Sequence, residues 1–170
     1  HGGLILGIGV GLLLCFLGRV KPLNLMDLCA PAIALAQSVG RWGNYFNSEA
    51  HGGPTDLPWG VWINGQTYHP TFLYESIWCF LLFLFLFYMD NHRKFEGQII
   101  LLYGILYSLE RFCVEALRTD SLMLGPRKQA QVISLVIIAV CAVLYVILNR
   151  RAGKNGSNKK GRKRIKQNQK

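Results

Sequence analysis

Long stretches without charged side chains dominate this chain and restrict what it can fold into. Residues 130–148 contain no charged residue, and residues 71–89 contain one, Glu75. A transmembrane helix needs roughly 20 consecutive apolar residues, whereas the core of a soluble domain is assembled from shorter runs. The pattern therefore predicts a protein that crosses a membrane several times.

Five segments are candidates for these crossings. Residues 2–18 are also free of charge, and residues 97–117 are apolar until charges appear near one end. Residues 25–39 are shorter and contain Pro31, a pattern typical of a kinked span or a re-entrant segment. We expect an all-α, polytopic transmembrane bundle with four strong spans, one short Pro-interrupted span and an extracytoplasmic loop region.

The net charge of +10 comes from one end of the chain. Residues 1–149 carry nine basic and nine acidic residues, and residues 150–170 carry ten basic residues and no acid. We expect this tail to be disordered and cytoplasmic, attracted to anionic lipid rather than to nucleic acid. Because basic loops stay in the cytoplasm, the short turns 18–22 and 90–96 are also expected inside, and residues 40–70 outside.

Three charged residues share one face at the outer end of the 97–117 segment. Arg111 and Glu115 are four residues apart, and Arg118 follows three residues later. Charges at membrane depth are costly and usually face a protein interior or a wet cavity. Two interpretations fit: a ladder of ion pairs that pins the helix end, or an anion site in which Glu115 orients Arg111.

Residues 40–53, GRWGNYFNSEAHGG, are expected to form a polar loop at the same surface. Gly40 and Gly43 flank Arg41, whose planar fork of N–H donors can hold a phosphate in a bidentate way. The alternative is an interfacial loop that places Trp42 in an aromatic belt. Two arginines on one outer surface make a lipid phosphate the natural ligand, and Arg41 or Arg111 is the expected partner of Glu75.

Histidine and cysteine give weaker signals. His1 offers a titratable imidazole at the outer surface, where it could act as a general base. The histidines lack the spacing of metal ligands, so no metal and no other cofactor is expected. The five cysteines are scattered and contain no CxxC pair, which is typical of small apolar side chains.

Four motifs, in this order, resemble the prolipoprotein diacylglyceryl transferase family: HGGL at 1–4, GRWGNYFNSEAHGG at 40–53, HPTFLYE at 69–75 and RFCVEALRTD at 111–120. That family consists of bacterial inner-membrane enzymes with seven spans. They move the diacylglyceryl group of phosphatidylglycerol to the lipobox cysteine thiol of a preprolipoprotein. A thioether forms and glycerol 1-phosphate leaves. The resemblance implies an N-terminally truncated, multi-pass member with its active site on the extracytoplasmic side. Residues 1–149 would form its transmembrane catalytic domain, and its partners would be phosphatidylglycerol, preprolipoprotein signal peptides and the bilayer.

The resemblance also assigns roles position by position. It implies that His1, Arg41, Arg111 and Glu115 are catalytic, with Arg41 binding the lipid headgroup and His1 a candidate base. Asp27 fits an acid that precedes the central signature. Substrate-binding positions, besides Arg41, are expected at Gly2, Gly3, Asn44, Asn47, Glu49, Gly52, His69 and Tyr74.

Two other classes of function fit the same charges. In a membrane transporter or anion channel, the buried arginines would line a path for an anion or solute. In a structural membrane protein, they would only fasten helices together. We expect the transferase activity, because the motif series accounts for residues that the other two leave unexplained.

Overall fold

The computed structural model of the chain describes residues 2–47, 52–117, 123–124 and 127–167. These ranges are mostly helical, with two short antiparallel hairpins. The helices are α1 (Gly2–Gly18), α2 (Pro22–Phe46), α3 (Thr71–Asp90), α4 (Gln98–Leu117) and α5 (Gln129–Gln167). Strand β1 (Val61–Ile63) pairs with β2 (Gln66–Tyr68), and β3 (Met123–Leu124) pairs with β4 (Arg127–Lys128).

Among the described residues, three helices are long and apolar enough to cross a membrane. They are Pro22–Phe46, Thr71–Asp90 and the Gln129–Lys154 part of α5. Helix α4 has a similar length, but Glu110, Arg111 and Glu115 all fall near its end. The predicted membrane character is thus confirmed for α2, α3 and α5.

Helix α2 is longer than predicted. The sequence suggested a short span at 25–39 followed by a polar loop from residue 40, whereas the structure has one helix of 25 residues that runs through Pro31. Membrane helices tolerate an internal proline when neighbouring helices pack around it, and Pro31 is buried. Asn47 ends the helix, and its N–H donates to the Gly43 carbonyl at 3.0 Å.

The core lies where α2, α3 and α4 meet. Ala30 and Ala34 of α2 are fully buried against Leu82 and Leu86 of α3 and Ile99 of α4. Small side chains let membrane helices approach closely, which strengthens dispersion contacts where no water is available to drive association. These two alanines therefore set the close packing of α2 on α3.

Helix α5 packs on α4 and continues past the apolar segment. A Cβ on Gly104 of α4 would lie 2.9 Å from the Cys141 sulfur, so the two helices approach closely there. The backbone of α5 remains helical to Gln167, so residues 150–167 differ from the disorder predicted for 150–170. Lysine and arginine are good helix formers, so a helix that has already nucleated in the apolar segment can extend through them.

Asp27 joins α2 to the start of α4 at one end of the bundle. Its fully buried carboxylate accepts hydrogen bonds from the N–H groups of Gly97 (2.7 Å), Ile99 (3.0 Å) and Ile100 (3.0 Å). The first N–H groups of a helix have no partner within the helix, and a carboxylate there also interacts favourably with the helix dipole. Gly97 has φ +90°, a conformation that favours glycine. Asp27 is therefore the N-terminal cap of α4.

An exposed ion pair lies at the same end. Lys21 Nζ donates to Glu96 Oε1 at 2.8 Å, and this hydrogen bond lowers the pKa of the Glu96 carboxyl below its usual value. The pair therefore contributes stability above the ordinary pKa of a glutamate and loses it as the pH falls through the lowered pKa. Its exposure to solvent keeps that contribution small.

Replacement Asp27→Ala should lower the free energy of unfolding by roughly 2–3 kcal/mol, because three buried N–H groups lose a charged acceptor. Asp56→Ala is the matched control, since Asp56 is exposed in the loop before β1, and it should change stability by less than about 0.5 kcal/mol. Both variants can be compared by chemical unfolding in detergent. Equal stability of the two variants would contradict the capping role.

Candidate active site

A buried carboxylate holds two guanidinium groups at the end of the bundle opposite to Asp27. Arg41 Nη1 of α2 lies 3.1 Å from Glu75 Oε2 of α3, and Arg111 Nη1 of α4 donates to Glu75 Oε1 at 2.8 Å. Glu75 is only 2% exposed. The sequence predicted Arg41 or Arg111 as its partner, and the structure brings both to it. Three helices thus meet at one ion-paired cluster.

The second terminal nitrogen of each arginine is also engaged. Arg41 Nη2 donates to the Tyr107 hydroxyl at 3.2 Å, and Arg111 Nη2 donates to Glu115 Oε2 at 3.4 Å. The predicted pairing of Arg111 with Glu115 is therefore present. A guanidinium has five N–H donors, so each arginine keeps donors for a further anion. Both side chains are about one fifth exposed, at 19% and 21%, which leaves them accessible from one side.

Two serines fix α2 against α3 next to this cluster. Ser38 Oγ donates to the Ser76 carbonyl and Ser76 Oγ donates to the Ser38 carbonyl, both at 2.8 Å. The Trp42 indole N–H donates to Ser76 Oγ at 3.1 Å. Because Ser76 follows Glu75 and Ser38 lies one turn before Arg41, this reciprocal pair sets the distance between the charged groups.

Tyrosines of α4 complete the cluster. Tyr103 and Tyr107 stack with ring centroids 5.4 Å apart, and the Tyr103 hydroxyl donates to Gln37 Oε1 at 2.9 Å. Sequence reasoning missed both tyrosines and Gln37. The available signal was spacing: Gln37 and Arg41 are four residues apart on α2, and so are the two tyrosines on α4.

Glycines 40 and 43 do not form the tight loop that the sequence suggested. Both lie within α2, and a Cβ at either position would have no described atom within 4 Å. Arg41 and Asn44 are therefore presented by a helix rather than by a loop. Asn44 is half-buried one turn after Arg41, and Asn47 is the exposed C-cap.

The end of the central signature is fastened to α4 through its last two glycines. Gly52 N–H donates to the His69 carbonyl at 2.9 Å, His69 N–H donates to the Gly53 carbonyl at 3.1 Å, and Gly53 N–H donates to the Leu117 carbonyl at 3.0 Å. A Cβ on Gly52 would lie 2.7 Å from the Cβ of His69. Close backbone packing therefore requires glycine at this position.

His69 and Tyr74 belong to a neighbouring polar group beside the β1–β2 hairpin. The Tyr74 hydroxyl accepts a hydrogen bond from the Trp59 indole N–H at 2.9 Å and lies 3.5 Å from His69 Nδ1. Tyr74 precedes Glu75 in the chain, so this group adjoins the arginine cluster.

Lys128 Nζ donates to the Glu115 carbonyl at 2.6 Å and covers the C-terminal end of α4.

The remaining predicted positions lie outside this cluster or outside the described residues. His1, Glu49 and Arg118 lie outside the described residues, and Gly2 and Gly3 lie in the first turn of α1. In the part of the chain that the structure describes, no group of three His, Cys, Asp or Glu side chains could hold a metal ion. The assembled site thus consists of Arg41, Glu75, Tyr107, Arg111 and Glu115.

Comparison with known proteins identifies related sequences. The family model for prolipoprotein diacylglyceryl transferase matches residues 1–147. The phosphatidylglycerol–prolipoprotein diacylglyceryl transferase of Clostridioides difficile (strain 630) is 48% identical over 91% of this chain and 62% of the relative. The proteins of the same name from Finegoldia magna and Thermosynechococcus vestitus are both 47% identical, over 86% and 82% of this chain and 59% and 57% of their own lengths. The chain thus spans about three fifths of the length of these relatives.

Replacement Gly52→Ala should lower the free energy of unfolding by roughly 1–3 kcal/mol, because the new methyl group meets packed atoms. Gly40→Ala is a matched control in open space within α2 and should raise stability by about 0.5–1 kcal/mol through its better helix propensity. Thermal unfolding of the two variants in detergent measures the difference. A Gly52→Ala variant as stable as the parent would show that this packing is unimportant.

Proposed function

The chain belongs to the prolipoprotein diacylglyceryl transferase family, and we propose that it serves that family's reaction, the transfer of diacylglyceryl from phosphatidylglycerol to the lipobox cysteine thiol of a prolipoprotein. The observation that carries the proposal is the pair of guanidiniums, Arg41 and Arg111, held 3.1 Å and 2.8 Å from the two oxygens of Glu75.

The two arginines form a receptor for the lipid phosphate. Glu75 holds them side by side before any lipid arrives, so little side-chain entropy is lost when the phosphate binds. Arginine matches phosphate through parallel N–H donors, and both side chains retain donors beyond those used by Glu75, Tyr107 and Glu115. The phosphate lies on the exposed side of this pair.

The chemical step displaces the phosphate from a glyceryl carbon. The thiol sulfur forms a bond to that carbon while the carbon–oxygen bond to phosphate breaks, and glycerol 1-phosphate leaves with the electron pair. Negative charge therefore grows on phosphate oxygens, where Arg41 and Arg111 stabilise it. Thiols react as thiolates, so a base must take the proton, and His1 is the candidate for this role.

An apolar groove supports access from the bilayer. It has a volume of about 300 Å³ and is lined by Trp78, Leu81, Leu82, Phe85 and Leu106. Trp78 follows Glu75 by three residues on α3, so the groove begins one helical turn from the charged cluster. It continues along the bundle toward the end that contains Asp27. An acyl chain of the lipid can lie there while its headgroup reaches the arginines.

We place the end of the bundle that carries the arginine cluster on the extracytoplasmic side of a bacterial plasma membrane. All five helices then cross the membrane. The basic residues Arg19, Lys21, Arg93 and Lys94 support this orientation, because they gather near Asp27 at the opposite end. Helix α5 starts beside the C-terminal end of α4, so its basic continuation extends toward the cytoplasm. This basic continuation is attracted to anionic lipid heads.

Transport remains the weaker alternative for these charges. A path for anions needs free guanidiniums along its length, whereas Arg41 and Arg111 both pair with carboxylates at one end of the described bundle. If Arg41 and Arg111 only fasten helices together, replacing either by lysine, which keeps the charge, should leave the enzymatic activity unchanged. Lysine variants of the two arginines separate these possibilities.

Replacement Arg41→Lys or Arg111→Lys should reduce kcat/KM by roughly 100-fold or more, because lysine keeps the charge but loses the paired donors that stabilise the leaving phosphate. The assay measures thioether formation on a lipobox peptide with phosphatidylglycerol and the full-length protein. Arg93→Lys, at the opposite end of the bundle, is the matched control and should leave turnover unchanged. Full activity of Arg41→Lys would refute the receptor role.

A further inference from the structure

Glu110 is a buried carboxyl group without a hydrogen-bond partner. It is 4% exposed, and neither Oε1 nor Oε2 has a partner among the residues that the structure describes. Every other buried carboxylate in those ranges is satisfied: Asp27 by backbone N–H groups, Glu75 by two arginines and Glu115 by Arg111. An unpaired buried polar group is costly, so its presence calls for an explanation.

Its position is beside the arginine cluster. Glu110 lies three residues after Tyr107 and seven after Tyr103, so it shares the α4 face that carries both tyrosines. It is within electrostatic range of three charged side chains, those of Arg41, Glu75 and Arg111. It is also within range of the Cys79 thiol and the Tyr107 hydroxyl.

The ion-paired cluster beside Glu110 is already neutral without it. Arg41 and Arg111 contribute two positive charges, and Glu75 and Glu115 contribute two negative charges. A third ionised carboxylate would be an uncompensated charge in a buried site, which is strongly unfavourable. The low-energy state is the neutral carboxylic acid, and an arriving lipid phosphate, itself an anion, favours that state further.

We propose that Glu110 is held as a neutral carboxylic acid and gives its proton to the phosphate that leaves during diacylglyceryl transfer. The inference rests on the proposed function and adds a residue and a step to it. A neutral acid in an apolar site can donate a hydrogen bond or a proton where an ionised carboxylate would repel the anion. Arg41 and Arg111 hold the phosphate beside this acid.

The protons balance over one cycle. The thiol proton leaves to the base as sulfur bonds to the glyceryl carbon, and the carbon–oxygen bond breaks with its electron pair on the phosphate oxygen. The proton of Glu110 moves to that phosphate, which as a monoester has a second pKa of about 6. The proton released by the thiol then restores the neutral acid, so the site returns to its initial state.

The direct test is infrared spectroscopy of the full-length protein in detergent near neutral pH. The parent protein should show the C=O stretching band of a buried carboxylic acid, and Glu110→Gln should lack it. Glu96→Gln, which removes an exposed carboxylate at the other end of the bundle, should leave the band unchanged. Absence of a Glu110-dependent band in the parent protein would overturn the proposal.

Kinetics of the same variants test the donated proton. Glu110→Gln keeps the size and neutrality of the side chain but cannot transfer a proton, so kcat should fall roughly 100-fold while KM for phosphatidylglycerol changes little. Glu110→Asp should recover part of that loss, which a merely structural role would not explain. Thermal unfolding should show that Glu110→Gln is at least as stable as the parent.

The outcomes also separate this inference from the proposed function. An active parent with an equally active Glu110→Gln variant overturns the proton donation alone. A parent that forms no thioether from phosphatidylglycerol overturns the proposed function and the donation step with it. The infrared band still decides, in that case, whether Glu110 is neutral.

Discussion

The site depends on one requirement, that a carboxylate buried among apolar helices must be paired. Glu75 is almost fully buried on α3, and its two oxygens are matched by Arg41 from α2 and Arg111 from α4. Removing one member of such a set leaves a buried charge uncompensated. The resulting loss of stability is far larger than the net stability that the intact set contributes. The arrangement therefore fixes three helices and, at the same time, holds the two arginines of the proposed phosphate receptor next to each other.

The opposite end of the bundle uses the same physics for a structural purpose. Asp27 is buried and fully used in capping α4, whereas Arg41 and Arg111 are partly exposed and retain free donor capacity. Between the two ends, Ala30, Ala34 and the Ser38–Ser76 pair keep the helices close. A rigid scaffold with one open charged end is what a site for an anionic lipid head requires.

The sequence could predict features that depend on one segment of the chain, but not those that depend on packing between helices. Long apolar runs identified α3 and α5 as membrane helices, and an isolated Glu75 in such a run required a cationic partner. The extension of α2 through Arg41 was missed, because glycine and asparagine are typical of loops and the packing against α3 that favours the helix is not local. Tyr107 and Glu110 were missed as site residues because only the packing of α4 against α2 and α3 gives them a role.

The central claim is that Arg41 and Arg111 act as one receptor, joined by Glu75, for a single phosphate. A double-mutant cycle on kcat/KM for phosphatidylglycerol, with Arg41→Lys, Arg111→Lys and the combined variant, measures this directly, since groups that share a partner are not additive. We expect the combined variant to be only a few-fold less active than either single variant. Losses that multiply fully would show that the two arginines act independently and would contradict the account.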